Sequence, residues 1–281
     1  MLEEVWYVGR LLFALERVES GSKPKLVNLI KDLLDCKHFN ENFRRINGVP
    51  TLISELRRCQ SSNLLLKISL LNCVYRLLLT TKTEAIYDFK LNNFPSLVNL
   101  KIREPMNYKE MILNIKIITH LALDNDISAK YIEEGIEDAI ILLVRSHPTN
   151  CHIIKFEDIE DSEETEAFEE FKLLIIRLLR YIASLERNRK IFKQIFPNEL
   201  LMPFIDVGHF IKPLKNYLPT LEVFNKMDNS KVLNIEDEYE KLAKLFANKN
   251  YKLQVVGSYN LLEELGQGAF GSVFLAKKGN N

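Results

Sequence analysis

The chain has 281 residues, of which 47% are hydrophobic and 27% charged, so it can build one large or two ordinary domains with a buried core. Lysine plus arginine and aspartate plus glutamate both number 38, giving a formal net charge of +0. This balance argues against a general nucleic-acid binder or a protein that binds anionic membranes.

The chain begins Met-Leu-Glu-Glu-Val-Trp, and these early acidic residues exclude an ordinary signal peptide. No cysteine has the paired spacing of metal ligands, so we expect free thiols and an intracellular, cytoplasmic setting. The cysteines are Cys36, Cys59, Cys73 and Cys151. His147, Cys151 and His152 crowd one stretch, but a fourth ligand at a suitable spacing is lacking, which favours a solvated loop over a zinc site.

Residues 1 to about 250 have the apolar periodicity of helices, so the fold class is predicted to be all-α. The most apolar stretch, 64–79, is interrupted by Lys67, Asn72 and Arg76. It is therefore predicted to be an amphipathic helix and not a membrane span.

A short apolar–polar pattern recurs along the helical region at intervals of 44, 44, 61 and 44 residues. We call the residues at its centre the phase residues; they are Asp32, Arg76, His120, Tyr181 and Asn225. A second landmark keeps a similar interval, with Gly48-Val-Pro, Asn93-Phe-Pro and Gly135-Ile-Glu each predicted to open a helix, and Pro203 marking a fourth, degenerate copy. A helical repeat of this length is typical of HEAT or armadillo solenoids.

The segments 41–53, Glu-Asn-Phe-Arg-Arg-Ile-Asn-Gly-Val-Pro-Thr-Leu-Ile, and 188–192, Asn-Arg-Lys-Ile-Phe, resemble the armadillo family. The resemblance covers residues 1–228 and implies a solenoid whose units bury their apolar faces against their neighbours. A HEAT-like solenoid or an irregular helical bundle is the alternative.

The armadillo resemblance also implies that the third helix of each unit lines a concave groove, in which a recurrent asparagine clamps an extended partner peptide. The phase residues occupy that position, and among them only Asn225 is an asparagine. We therefore expect a mixed polar and aromatic groove for a protein partner; the alternative is a purely intramolecular role.

The interval of 61 residues places an insertion at about 146–168, where the acidic run 156–170 occurs. We expect a solvated loop leading into a helix that begins near Ser162. A linker follows at 229–257, with an amphipathic helix over 235–247 and a short strand over 252–256.

Residues 258–281 contain a glycine-rich loop between two segments that have the composition of strands. Its residues are Leu265, Gly266, Gln267, Gly268, Ala269, Phe270, Gly271, Ser272 and Val273. In a dinucleotide-binding fold such glycines open a helix, whereas here they join strands in a hairpin, as in protein kinases.

The loop resembles the start of the eukaryotic protein kinase domain, which implies that these residues cover the phosphates of ATP, with magnesium in a complete kinase. The family's V-A-I-K lysine, H-R-D loop and D-F-G metal site have no counterpart in this sequence, since Lys277 and Lys278 follow Val273 too closely. We therefore expect no phosphoryl transfer from this chain alone, and a kinase domain cut short after its loop.

Armadillo-type repeats directly before a kinase domain resemble one branch of the NIMA-related serine/threonine kinases. That resemblance implies cytoplasmic, nuclear or ciliary settings, a protein partner for the repeats, and docking on the kinase domain of the same protein. Two hypotheses stay open: the regulatory portion of a serine/threonine kinase, or a self-standing armadillo scaffold that binds a protein partner.

Overall fold

The computed structural model describes residues 2–59, 63–98, 106–134, 143, 154–155, 164–205, 213–227, 234–235, 237–238, 240–241, 254–256, 259–268 and 271–278. The chain divides into two compact units, residues 1–239 and residues 240–281. Each unit is described by itself.

The first unit is mostly helical, as the apolar periodicity predicts. Its first helices are α1 (Leu2–Arg17), α2 (Lys23–Leu33), α3 (Lys37–Arg45), α4 (Gly48–Arg58), α5 (Leu64–Thr80) and α6 (Lys82–Leu91). A 3₁₀ turn (Phe94–Ser96), strand β1 (Met106–Asn107), α7 (Tyr108–Leu121), α8 (Asn125–Glu134) and strand β2 (Ile154–Lys155) follow. Then come α9 (Glu164–Ala183), α10 (Glu186–Ile195), α11 (Asn198–Ile205), a 3₁₀ turn (Leu214–Tyr217) and α12 (Leu218–Asn225).

Asparagine side chains start several of these helices. Asn63 accepts a hydrogen bond from the Leu66 amide at 3.2 Å at the start of α5, and Asn107 accepts one from the Lys109 amide at 2.9 Å at the start of α7. These bonds satisfy backbone donors that a first helical turn leaves unpaired. Asn47 adopts the left-handed conformation (φ 64°) and lets the chain turn directly into α4 at Gly48.

The helices α2, α5, α7 and α9 pack side by side in chain order. Contacts along each pair follow the same order on both helices, so neighbours run parallel. Between α5 and α7, Lys67 Nζ lies 2.5 Å from Glu110 Oε1 near the start, and the rings of Tyr75 and His120 lie 5.6 Å apart near the end. The core lies among these helices, where Leu70, Val74, Ile118 and Ile175 are buried.

A shorter helix follows each of α2, α5, α7 and α9 after a tight turn, namely α3, α6, α8 and α10. One buried position near the start of these shorter helices carries a small or polar residue, and its occupants are Asn40, Ala85, Ser128 and Asn188. The amides of Asn40 and Asn188 each donate to a carbonyl six residues earlier, at 3.1 and 2.8 Å, and thereby fix the turn.

Helix α12 runs antiparallel to α9. Arg180 near the end of α9 donates to the Tyr217 hydroxyl, just before α12, at 2.9 Å. Lys172, earlier in α9, donates to Asn225 Oδ1 at the end of α12 at 3.0 Å. Helix α12 therefore runs in the opposite direction to α2, α5, α7 and α9.

Several local features differ from the sequence-based expectations. Strands β1 and β2 form a short parallel pair within the region expected to be helical throughout. Pro95 lies in a 3₁₀ turn, and Pro203 lies inside α11. Helix α9, Glu164–Ala183, agrees with the expected start near Ser162. The predicted helix start at Gly135 lies outside the described residues.

The second unit contains an antiparallel sheet of strands β3 (Gln254–Val256), β4 (Tyr259–Gly268) and β5 (Gly271–Lys278), with β4 in the centre. Within the described parts of the chain, no helix combines the length and the apolarity needed to cross a membrane.

Candidate functional site

The phase residues Asp32, Arg76 and His120 lie on the parallel helices α2, α5 and α7, each in the C-terminal part of its helix. Because these helices are parallel neighbours, the residues fall at similar heights on one layer of the fold. We call this surface, with the neighbouring Asp35 and Tyr75, the ladder face.

A polar cleft of about 330 Å³ opens between α2 and α5 on the ladder face. It is lined by Lys31, Asp32, Asp35, Asn72, Tyr75, Arg76 and Leu79. The guanidinium of Arg76 donates through Nε and Nη2 to the two carboxylate oxygens of Asp35. Lys31 Nζ lies 3.1 Å from Asp32 Oδ1, so the cleft carries both charge signs in paired form.

The Arg76–Asp35 pair shifts the titration of both groups. The hydrogen bond from Arg76 lowers the pKa of Asp35 below its ordinary value, and the same bond raises the pKa of Arg76. Both groups are charged at neutral pH, and Arg76 is held by Asp35, just beyond the end of α2, instead of extending freely into the cleft.

Aromatic rings continue the surface from α5 to α7 and α9. Tyr75 packs edge-on against His120, at an interplanar angle of 61°. Burial is the main cause that raises the pKa of Tyr75 and of Tyr181 above the ordinary value. The positive charge of Arg177 offsets part of this rise. The charge of Arg177 on α9 thus acts on a phenol of α5 and on a phenol of its own helix.

The structure does not bring all of the phase residues together. Tyr181 is only 8% exposed, so it serves the packing of α9 more than the surface. Asn225 lies beside Lys172, nine residues from Tyr181 along α9, which corresponds to about 13 Å along a helix axis. The reversal of α12 is the physical reason for this separation.

Asp35, Tyr75 and Arg177 belong to the site's geometry, but the 44-residue interval does not identify them. Asp35 is three residues after Asp32 and Tyr75 directly precedes Arg76. Asp35 lies in the turn just beyond α2, and its short spacing from Asp32 is a signal that could have found it. No comparable signal marks Arg177, because its effect on Tyr75 and Tyr181 depends on the tertiary arrangement of α5, α7 and α9.

The ladder face suits binding more than catalysis. Its charges are already paired, and its rings and amide groups can contact an extended chain. Among the described residues, no group of three or more histidine, cysteine or acidic side chains is arranged to hold a metal ion.

In the second unit, the glycine-rich loop connects β4 and β5. Gly268 pairs with Gly271, Gln267 with Ser272 and Gly266 with Val273. The register shifts once between Leu261 and Glu263 and again between Glu264 and Gly266, and such irregularities increase the twist of a hairpin. Ala269 and Phe270 at the tip lie outside the described residues.

Gly268 and Gly271 pair where β4 and β5 meet the loop tip. Neither residue carries a Cβ, so the backbone is sterically open at this point.

No protein-family model and no solved structure matches the chain. Over 105 residues, or 36% of this chain and 9% of the relative, it is 37% identical to the mouse "Serine/threonine-protein kinase Nek10". The human protein of that name is 37% identical over 105 residues, 8% of its length. The Caenorhabditis elegans "Serine/threonine-protein kinase D1044.8" is 32% identical over 107 residues, 37% of this chain and 10% of the relative.

The chain thus spans about a tenth of the length of the curated relatives that it matches. Roughly a third of its residues is related to proteins named as serine/threonine kinases.

Proposed function

We propose that this chain is a helical regulatory region together with the nucleotide loop of a NIMA-related protein serine/threonine kinase. The observation that carries the proposal is the relationship of a third of the chain to kinases of that name. The loop pattern Leu265-Gly266-x-Gly268-x-x-Gly271-x-Val273 also supports it.

In this proposal the hairpin of β4 and β5 covers the phosphates of ATP. Backbone N–H groups near Gly266, Gly268 and Gly271 donate to phosphate oxygens, and Leu265 and Val273 flank the adenine. ATP supplies the phosphoryl group that a complete kinase transfers to a protein hydroxyl. The chain's own contribution is to bind and orient the nucleotide.

The chain alone should not transfer phosphate. A kinase transition state needs a positioned lysine, metal ligands and a catalytic aspartate. The family motifs that supply these groups do not occur in these 281 residues. Magnesium would be held by groups outside this sequence, so we assign it no ligand here.

We further propose that residues 1–228 form an armadillo-type solenoid. The parallel packing of α2, α5, α7 and α9 supports this assignment, as does the short helix that follows each of them. Such a solenoid would regulate the kinase by docking on it or by recruiting a protein partner.

The transcript that encodes this chain offers the most economical test. Sequencing beyond the Asn281 codon should reveal an in-frame V-A-I-K-like lysine strand, followed by H-R-D and D-F-G motifs. A stop codon at this point, with stable protein in the cell, would support the scaffold alternative.

A second candidate function is partner binding through the ladder face, and the cleft between α2 and α5 favours it. Arg76 and Leu79 both line this cleft, and the Leu79 side chain is exposed. The amount of partner protein that this chain captures from an extract of its own cells should fall when Arg76 and Leu79 are both changed to alanine. Arg57→Ala is the matched control, because Arg57 is an exposed arginine that contacts the Asn92 carbonyl away from the cleft. Equal capture by the wild type, by Arg76→Ala/Leu79→Ala and by Arg57→Ala would show that the ladder face does not bind the partner.

A further inference from the structure

Strand β3 occupies one edge of β4, in the part of the hairpin that lies away from the glycines. The antiparallel pairs are Gln254 with Leu261, Val255 with Asn260 and Val256 with Tyr259. On its other edge, the same stretch 259–261 pairs with β5. This stretch therefore lies in the middle of a three-stranded sheet. We call it, with its partners on β3 and β5, the hairpin base.

The glycine end of the hairpin is built differently. Beyond Leu261, the pairs of β4 within the described part of the chain are with β5 alone. The register between β4 and β5 passes over Leu262 and Leu265, so each of them is one extra residue on β4. Such bulges bend a strand and increase its twist. Two bulges therefore lie between the hairpin base and Gly266, and the first comes directly where the pairing with β3 ends.

The third strand changes how well the hairpin is ordered. A two-stranded hairpin by itself is marginally stable in water, whereas three paired strands can form a stable sheet. A ligand that binds a poorly ordered backbone must also order it, and the lost conformational entropy weakens the affinity. Strand β3 supplies the third strand at the hairpin base, so part of this ordering is complete before a ligand arrives.

We propose that β3 is a positioning strand of the nucleotide site, which orders the glycine-rich loop for ATP by pairing with the hairpin base. The three-stranded base beside a bulged, two-stranded glycine end is the observation that carries the proposal. The inference rests on the proposed nucleotide-binding function of the loop. Because coupling between two sites is reciprocal, bound ATP stabilises the pairing of β3 in turn.

A pair of proline substitutions, Val255→Pro/Val256→Pro, detaches β3 from β4. Successive residues of a strand direct their backbone N–H groups to opposite edges, so one of these two residues donates toward β4. Proline has no N–H and removes that donor. Val255→Ile/Val256→Ile is the matched control, because it keeps both N–H groups and a high strand propensity.

Titration of an azido-ATP analogue against the complete cellular protein, followed by photolabelling, measures the apparent affinity. Val255→Pro/Val256→Pro should weaken it by at least about fivefold, and the isoleucine control should bind like the wild type. If the proline variant and the wild type saturate at the same concentration, the inference is wrong and the proposed nucleotide function stands. If the wild type is not labelled at all, both are wrong.

Hydrogen exchange of the complete protein, read by mass spectrometry, separates positioning from a general loss of structure. ATP should slow the exchange of amides 254–256 in β3 as well as those of the loop. Protection of the loop by ATP with unchanged exchange in β3 would overturn the inference. In the 281-residue chain, Trp6 is the single tryptophan and lies on α1. Its fluorescence during urea unfolding should be the same in the proline variant and the wild type.

Discussion

Arg76 on α5 donates two hydrogen bonds to the carboxylate of Asp35, which lies two residues beyond the C-terminal end of α2. The pair connects two parallel helices at the cleft on the ladder face, and one of its members is a phase residue. A residue that the 44-residue interval marks, Arg76, therefore makes a contact between neighbouring helices.

The Arg76–Asp35 pair predicts a pH dependence. The folded-state pKa of Asp35 is lowered, so its contribution to stability is fully present above the unfolded carboxyl pKa of about 3.9. The contribution is lost as the pH falls through the lower, folded value. In Arg76→Ala, the pKa of Asp35 measured by NMR titration should rise toward the ordinary value. The pKa of Asp35 should rise less in Lys31→Ala than in Arg76→Ala. An unchanged Asp35 pKa in Arg76→Ala would contradict the contact.

The Lys67–Glu110 pair predicts a loss of stability when one partner is removed. Glu110 is buried, and its carboxylate lies 2.5 Å from Lys67 Nζ. In Lys67→Ala the free energy of unfolding should fall by about 2–4 kcal/mol, since a buried carboxylate would be left without this partner. Lys37→Ala removes an exposed pair with Glu41 and should cost less than about 0.5 kcal/mol. If Lys67→Ala and Lys37→Ala lost equal free energy of unfolding in urea, the buried pair would have no special structural role.

Gly48 predicts a steric penalty at the start of α4. A Cβ at this position would lie 2.5 Å from Cδ1 of Phe43, whose ring is fully buried and cannot easily move. Gly48→Ala should therefore lower the free energy of unfolding by about 1–3 kcal/mol. Gly21→Ala is the control, because nothing lies within 4 Å of a Cβ there. A Gly48→Ala protein as stable as Gly21→Ala would show that the helix start adjusts without cost.

Cys73 and Cys36 predict a contrast in thiol reactivity. The Cys73 thiol is buried and donates to the Val27 carbonyl at 3.2 Å, and burial raises its pKa, whereas Cys36 is exposed. Alkylation of native protein, followed by peptide mass spectrometry, should modify Cys73 at least about a hundredfold more slowly than Cys36. The difference should vanish in denaturant, and similar native rates would contradict the packing of α2 on α5. Because the folded pKa of Cys73 is raised, its effect on stability is fully present below the unfolded thiol pKa of about 8.5 and declines at higher pH.

The helical character of the first unit could be predicted, because apolar spacing alone determines which helix faces can be buried. The common height of Asp32, Arg76 and His120 also follows from a fixed interval on parallel helices. The burial of Tyr181 and the separate position of Asn225 could not be predicted. Both depend on the reversal of α12, which is stabilised by contacts such as Arg180 with Tyr217, 37 residues apart.

The sequence contains a further signal of contact between adjacent repeat units, namely a pair of opposite charges one interval apart. Arg44 and Asp88 are 44 residues apart, and Arg44 Nε lies 2.6 Å from Asp88 Oδ2 between the shorter helices α3 and α6. Opposite charges separated by one repeat are thus a signal of contact between adjacent units. The fixed interval of apolar residues does not reveal such a pair.

The central claim is that Gly266, Gly268 and Gly271 belong to a nucleotide loop that serves a protein kinase. Photoaffinity labelling of the complete cellular protein with an azido-ATP analogue tests this most directly. Gly266→Val/Gly268→Val should reduce labelling at least about tenfold, because Cβ substituents keep the phosphates away from the backbone. Gly21→Val should label like the wild type. Undiminished labelling of the loop variant would contradict the claim.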